Sequence, residues 1–231
     1  MDRNEKWYNV LREHIRRDDA KMMKAVLFDL DGTLLLSDEE EFYSAYYKTL
    51  GKYCIDLIES SKLVESVQKI IKKITMDDGK LNNYDRFVNV MKEELGEKLA
   101  KALESRFNAF YSSEEFDGLK SLTVPNEKLI GWMRKTENSK LKKVLATNPI
   151  FPKSAILKRM EWAGLSERDF EWISVMENSH FLKPRGEYYV EIAQKLAVKP
   201  EECMMIGNDA LLDGACSKVG MTFKHIKDFQ V

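Results

Sequence analysis

Asp29 and Asp31 stand two residues apart, directly after the apolar run Val26-Leu27-Phe28 and just before Gly32 and Thr33. The run reads as a short buried strand. Side chains alternate along extended backbone, so the two acids project to the same side. Gly32 lets the chain turn away sharply, and the Thr33 hydroxyl can fix the loop. Two carboxylates held together are costly unless a cation or a proton lies between them. Their spacing therefore points to metal binding and to acid/base work. Further polar groups follow other apolar runs: Thr147 and Asn148 after Val144-Leu145-Ala146, and Asn208 and Asp209 after Cys203 to Gly207. Asp213 lies one helical turn beyond Asp209, and Lys183-Pro184 sits in a loop. Each has an ordinary reading when taken singly: a helix-entry turn, a solvated lysine, an aspartate capping a helix.

The elements that must position these groups are legible as patterns. Ser37 and Glu40 form a capping box, which predicts a helix starting there. It carries Phe42, Tyr43, Tyr46, Tyr47 and Leu50, with Gly51 ending its first part. The three tyrosines read as helix packing. Leu63 to Ile74, Tyr84 to Leu95 and Leu99 to Phe110 show helical spacing, and Asp77-Asp78-Gly79 reads as a turn. No strand pattern interrupts residues 37–116. Beyond Asp117-Gly118 the pattern alternates. Helices are expected from Pro125, from Pro152, over Tyr188 to Leu196 and over Leu211 to Val219. Strands are expected at Val144 to Ala146, Trp172 to Val175, Cys203 to Ile206 and Met221 to Ile226. Alternating strands and helices imply a parallel sheet covered on both faces. In such sheets ligands bind at the carboxyl ends of the strands, where all the polar groups above fall.

Asp29-Leu30-Asp31-Gly32-Thr33 resembles the nucleophile motif, DxDGT, of the haloacid dehalogenase (HAD) superfamily, most of whose members are magnesium-dependent phosphohydrolases. Ala146-Thr147-Asn148, Lys183-Pro184 and Gly207-Asn208-Asp209 with Asp213 resemble its other three motifs, in order. The resemblance covers about residues 24–36 and 120–227 and implies a Rossmann-like α/β core with an inserted all-helical cap. It implies Asp29 as nucleophile and Asp31 as acid/base, its pKa raised by its like-charged neighbour. Thr147, Asn148 and Lys183 would bind the phosphoryl group, and Mg2+ would be held among Asp29, Asp31, Asn208, Asp209 and Asp213. The family usually has aspartate where this chain has Asn208. A neutral amide oxygen can still ligate magnesium but brings no charge, so Asp209 or Asp213 would add charge directly or through water; with Asp209 free to turn to the helix amides as a cap, Asn208 ranks as the direct ligand and Asp213 as outer shell. The implied activity is hydrolysis of a small phosphorylated metabolite through an aspartyl-phosphate. The superfamily's sugar-phosphate mutases often carry a histidine a little beyond the second acid, where this chain has Glu41. A mutase and a non-catalytic phosphate-binding protein remain alternatives.

Composition bounds the rest. The 231 residues are 44% hydrophobic and 32% charged, with a formal net charge of −1, which suits a globular protein with a real core. No bulk field draws in nucleic acid or an anionic membrane, and no apolar run reaches the ~20 residues of a membrane span. Cys54, Cys203 and Cys216 read as reduced thiols of a cytoplasmic protein, with Cys203 a small core hydrophobe. Neither HExxH nor CxxC occurs, so a dedicated zinc site is not expected. Trp7, Val10, Leu11, His14 and Ile15 suggest an amphipathic N-terminal helix. The expected organisation is an extension at 1–23, a core of 24–36 and 117–231, and a helical cap at 37–116, as a monomer or homodimer.

Overall fold

The computed structural model describes residues 23–135 and 141–228; the expected N-terminal helix lies outside them. Five strands form one parallel sheet: β1 (Ala25–Phe28), β4 (Lys142–Leu145), β5 (Trp172–Ile173), β6 (Cys203–Gly207) and β7 (Thr222–His225), in the order β5-β4-β1-β6-β7. β1 is central because both its faces are covered. Val26 and Phe28 enter one core, and Ala25 and Leu27 enter the other. Fully burying each larger side chain contributes about 1.5–3 kcal/mol. Phe28 meets the edge of Trp132 at 6.1 Å, from a helix whose span is Glu127–Lys135.

Register is what brings the motifs together. Phe28 lies beside Leu145 on one side and Ile206 on the other. The ladder continues one step further, since Asp29 N donates to Ile206 O at 3.0 Å and Ala146 N donates to Phe28 O at 2.7 Å. The residues following all three strands thus emerge at one edge.

The long interval after β1 is helical. α1 (Glu39–Tyr53), α2 (Ser60–Thr75), α3 (Asn83–Leu95), α4 (Glu97–Phe110) and the short α5 (Glu114–Asp117) follow one another. They precede α6 (Glu127–Lys135), α7 (Lys153–Trp162) and α8 (Gly186–Lys195) of the sheet layers. Several local expectations are corrected. Asp38, not Ser37, caps α1, its Oδ1 accepting from Glu41 N at 2.9 Å. Ser37 instead ends a strand. Gly51 does not end the helix but stays inside it, and its lack of a side chain admits Ser60 at the start of α2, whose Cβ would lie 2.8 Å from a Cβ there. Pro125 ends a strand rather than opening a helix; the Asn126 side chain accepts from Leu129 N at the start of α6. Residues 213–219 form a 3-10 turn rather than an α-helix, and the Trp172 strand stops at Ile173.

The sequence reading missed an antiparallel ribbon. β2 (Leu35–Ser37) pairs with β3 (Thr123–Pro125), Ser37 opposite Thr123. Both crossings between sheet and helices run through it.

A second tie joins helices and sheet loops. The N-terminus of α3 carries Asn83, fully buried, whose Nδ2 donates to Pro149 O at 3.2 Å and whose N donates to Ser179 O at 2.8 Å. Arg86, one turn on, donates to Ile74 O at 2.8 Å and also to Asn83 Oδ1 and His180 O.

Candidate active site

The strand ends enclose a cavity of about 230 Å3, lined by Asp29, Asp31, Thr147, Asn148, Lys183, Asn208, Asp209 and Asp213. Every sequence-predicted site residue borders it. Glu39, Tyr43 and Phe151 also border it and were not expected there. Tyr43 packs on Phe42 and Tyr47 as read, and it borders the cavity as well.

At the centre, Lys183 Nζ lies 2.8 Å from Asp29 Oδ1 and 2.5 Å from Asp213 Oδ1. All three residues are buried. Burial alone would favour the neutral amine, but two carboxylates outweigh it and hold the Lys183 ammonium well above its usual range. Burial pushes the Asp29 carboxyl up to about 7, with Lys183 pulling against it and Asp213 adding to it. One cation thus faces two acids, and with Asp29 ionised the cluster is short of positive charge.

Gly207 permits this arrangement, since a Cβ there would lie 2.1 Å from Asp213 Oδ2. The same oxygen accepts from Asp209 N at 3.1 Å. Asp213, expected as outer shell, is held as the second acid on Lys183.

Asp29 Oδ2 and Asn208 Oδ1 meet at one hydroxyl. Thr33 Oγ1 is 3.2 Å from the first and 3.1 Å from the second. A hydroxyl has one proton, so it serves one oxygen at a time. Asn208 Nδ2 donates to Glu39 Oε1 at 3.0 Å, which turns the amide oxygen toward Asp29. Gly32, at φ +72°, passes so close that a Cβ would lie 2.4 Å from Asn208 Nδ2. Asp209 turns away: its Oδ1 accepts from Leu211 N at 2.7 Å and Leu212 N at 2.9 Å. The turn's own amides thus occupy Oδ1, in keeping with the reading of Asp209 as a cap.

Asn148 Oδ1 accepts from Lys183 N at 3.1 Å, so its amide oxygen holds the lysine loop. Tyr188, buried in α8, donates to Thr147 O at 2.8 Å and fixes the other loop. Asp31 differs from expectation. Its Oδ2 accepts from Arg159 Nη1 of α7 at 2.7 Å, so it faces a guanidinium as well as Asp29. Burial, then the charge of Asp31, raises the pKa of the Tyr43 phenol, which keeps that hydroxyl protonated.

These residues fit a hard divalent cation. Among the described residues no three Asp, Glu, His or Cys side chains converge to hold a metal alone. An ion would draw on Asp29, the amide oxygen of Asn208, main-chain carbonyl and water, all oxygen donors. Magnesium suits such a set because it keeps several waters and needs few carboxylates. The shortage of positive charge beside ionised Asp29 gives it a reason to bind.

A five-stranded parallel sheet with helices inserted after its first strand, and two acids, a threonine and a lysine at one edge, defines a Rossmann-like α/β hydrolase. The chain belongs to the haloacid dehalogenase-like hydrolases, whose family model matches residues 23–213. Solved structures share the fold at low identity. A predicted phosphoglycolate phosphatase from Haemophilus somnus 129PT aligns at TM-score 0.54 and 14% identity, over 87% of this chain and 84% of that one. A β-phosphoglucomutase from Clostridium difficile aligns at TM-score 0.51 and 20% identity, over 87% and 83%. A HAD-family enzyme from Bacteroides thetaiotaomicron, solved with magnesium and inorganic phosphate, aligns at TM-score 0.50 and 16% identity, over 88% and 93%. No curated protein matches the chain. No helix among the described residues is long and apolar enough to cross a membrane.

Proposed function

We propose that this protein is a magnesium-dependent phosphatase that cleaves a small phosphomonoester through an aspartyl-phosphate at Asp29. One observation carries the reading: a buried carboxylate, a buried ammonium and a second acid face one cavity across a single sheet edge. Asp29 Oδ1, beside Lys183, attacks phosphorus, and the bond to the leaving oxygen breaks. Asp31 gives its proton to that oxygen and then takes one from the water that cleaves the acyl-phosphate. Alcohol and inorganic phosphate leave, and both acids return to their starting state. Lys183 and Thr147 hold the phosphoryl oxygens where charge lies in the transition state. Asp29 Oδ2, the Asp31 carbonyl and Asn208 Oδ1 would hold Mg2+, which when bound neutralises phosphate charge and favours the ionised nucleophile. The helices of residues 39–117 form the cap over this cavity, to which Tyr43 and Glu39 of α1 already contribute.

Hydrolysis is favoured over phosphoryl mutation because Glu41, at the position where mutases often have histidine, is exposed on α1 outside the cavity. The three buried, unpaired cysteines suit a reducing cytoplasm. Burial pushes Cys54 up to about 11 and Cys203 up to about 12, far from the reactive thiolate form.

The test is phosphate release from 4-nitrophenyl phosphate with and without magnesium, followed by acid quench and hydroxylamine trapping of the acyl-phosphate. Trapped label on Asp29 is the expected result. Magnesium-dependent turnover with undiminished rate in Asp29→Asn would sink the mechanism.

A further inference from the structure

Arg159 is the one long cation of α7 that turns inward. It is 1% exposed. Nη1 donates to Asp31 Oδ2 at 2.7 Å, and the guanidinium lies over the Phe151 ring at 4.3 Å. Nε and Nη2 are buried without a hydrogen-bond partner among the described residues. Arg159 borders neither the catalytic cavity nor the apolar cavity next to it, although Phe151 borders both. Its hydrogen bond and its ring contact toward the catalytic cavity fall on Asp31 and Phe151.

A residue kept only for packing would not leave two buried N–H groups unmet, since apolar chains of similar volume fill such places without that cost. The single bond it does make falls on the acid/base. We infer that Arg159 is a positioning residue for Asp31, resting on the phosphatase reading above. The Phe151 ring fixes the guanidinium plane, and Nη1 fixes Oδ2. Rotation of the carboxyl about its last bond is then blocked, and Oδ1 is the oxygen left to serve the leaving group. A positioned proton donor matters most when the leaving oxygen is a poor one, because a good one departs as the anion. Arg159 should share that dependence while leaving substrate affinity alone, since Lys183 and Thr147 hold the phosphoryl group.

The experiment compares the parent, Asp31→Asn, Arg159→Met, Arg159→Lys and the double variant Asp31→Asn/Arg159→Met. Each is assayed with magnesium on 4-nitrophenyl phosphate, a good leaving group, and ethyl phosphate, a poor one. Arg159→Met should lower kcat at least tenfold more on the ethyl ester than on the aryl ester, with KM within about twofold of the parent. Arg159→Lys should recover part of the loss, as the charge returns without the fork and the stack. The double variant should be no slower than Asp31→Asn alone, because a residue acting through Asp31 has nothing left to position. Equal losses on both esters, or losses that multiply in the double variant, overturn the assignment while the phosphatase reading stands. A parent that hydrolyses neither ester overturns both. If Arg159→Met does not fold, Arg159→Lys decides alone: loss equal on both esters, or no loss, overturns the assignment.

Discussion

At the scale of residues, the site is organised around a charge imbalance. Asp29 is buried beside one ammonium that it shares with Asp213, and its carboxyl rises to about 7. A carboxyl whose folded pKa exceeds its unfolded value binds more protons in the folded state, so its stabilising share is full at low pH and is lost as pH rises through about 7. The metal-free protein should therefore melt lower as pH climbs from about 4 to 7.5, and magnesium should flatten that slope. Asp29→Asn leaves one cation facing one acid. In metal-free buffer at pH 7.5 it should gain ~1–2 kcal/mol, or about 2–8 °C in Tm, while losing turnover. Scanning calorimetry across pH, with and without magnesium, checks this. Asn208 offers a second test. Asn208→Asp adds a charged ligand, so the magnesium midpoint of activity should fall. It also sets a carboxylate where Nδ2 now meets Glu39 at 3.0 Å, so the metal-free variant should be less stable than the parent. Asp213→Asn should raise the midpoint. Unmoved midpoints in both would place the ion elsewhere.

At the scale of elements, close approach rather than propensity sets the geometry. Gly207 closes β6 where no Cβ fits against Asp213. Gly207→Ala should cost roughly 1–3 kcal/mol by overpacking and should also displace the acid that braces Lys183. A denaturant midpoint and kcat measured together should both fall, which a merely structural glycine would not require. The elements differ in how far the sequence betrays them. β1, β4 and β6 were readable because strands buried on both faces appear as apolar runs. β2 and β3 were not, because each has three residues, no hairpin signal links them, and their pairing depends on chain ends brought together by the sheet. The four motifs were readable because they are short and ordered. Arg159 was not, since it stands among Lys158 and other surface charges. One signal could have found it: it shares a helix face with Ala155, Ile156 and Met160, all buried, and a charge on a buried face needs a partner. Tyr43 and Glu39 fall on α1 with nothing in their spacing to separate them from neighbours. Only the placement of the helix over the strand ends singles them out.

At the scale of the whole molecule, the helices are fastened to the sheet loops at a second place besides the ribbon. Asn83 and Arg86 grip the main chain of Pro149 and of Ser179 to Phe181, the segments that carry Asn148 and Lys183. Arg86→Met strands Ile74 O, His180 O and the Asn83 amide oxygen and should cost about 2–4 kcal/mol. Amide exchange over residues 178–185 should accelerate in that variant, and KM should rise as the Lys183 loop loosens. Protection unchanged there would show that the loop is held by the sheet layers alone.

The ribbon of β2 and β3 has a different consequence. Ser37 sits opposite Thr123, so the 85-residue excursion between them leaves and returns at adjacent backbone positions. Sheet register does not depend on how long that excursion is, nor on what it folds into. The excursion is a cassette on a stem. Splicing Ser37 to Thr123 through Asn-Gly, a two-residue turn suited to an antiparallel pair, should leave the parallel sheet threaded as it is now. Helical modules of other lengths could be grafted at the same two residues, giving one catalytic edge many interchangeable lids.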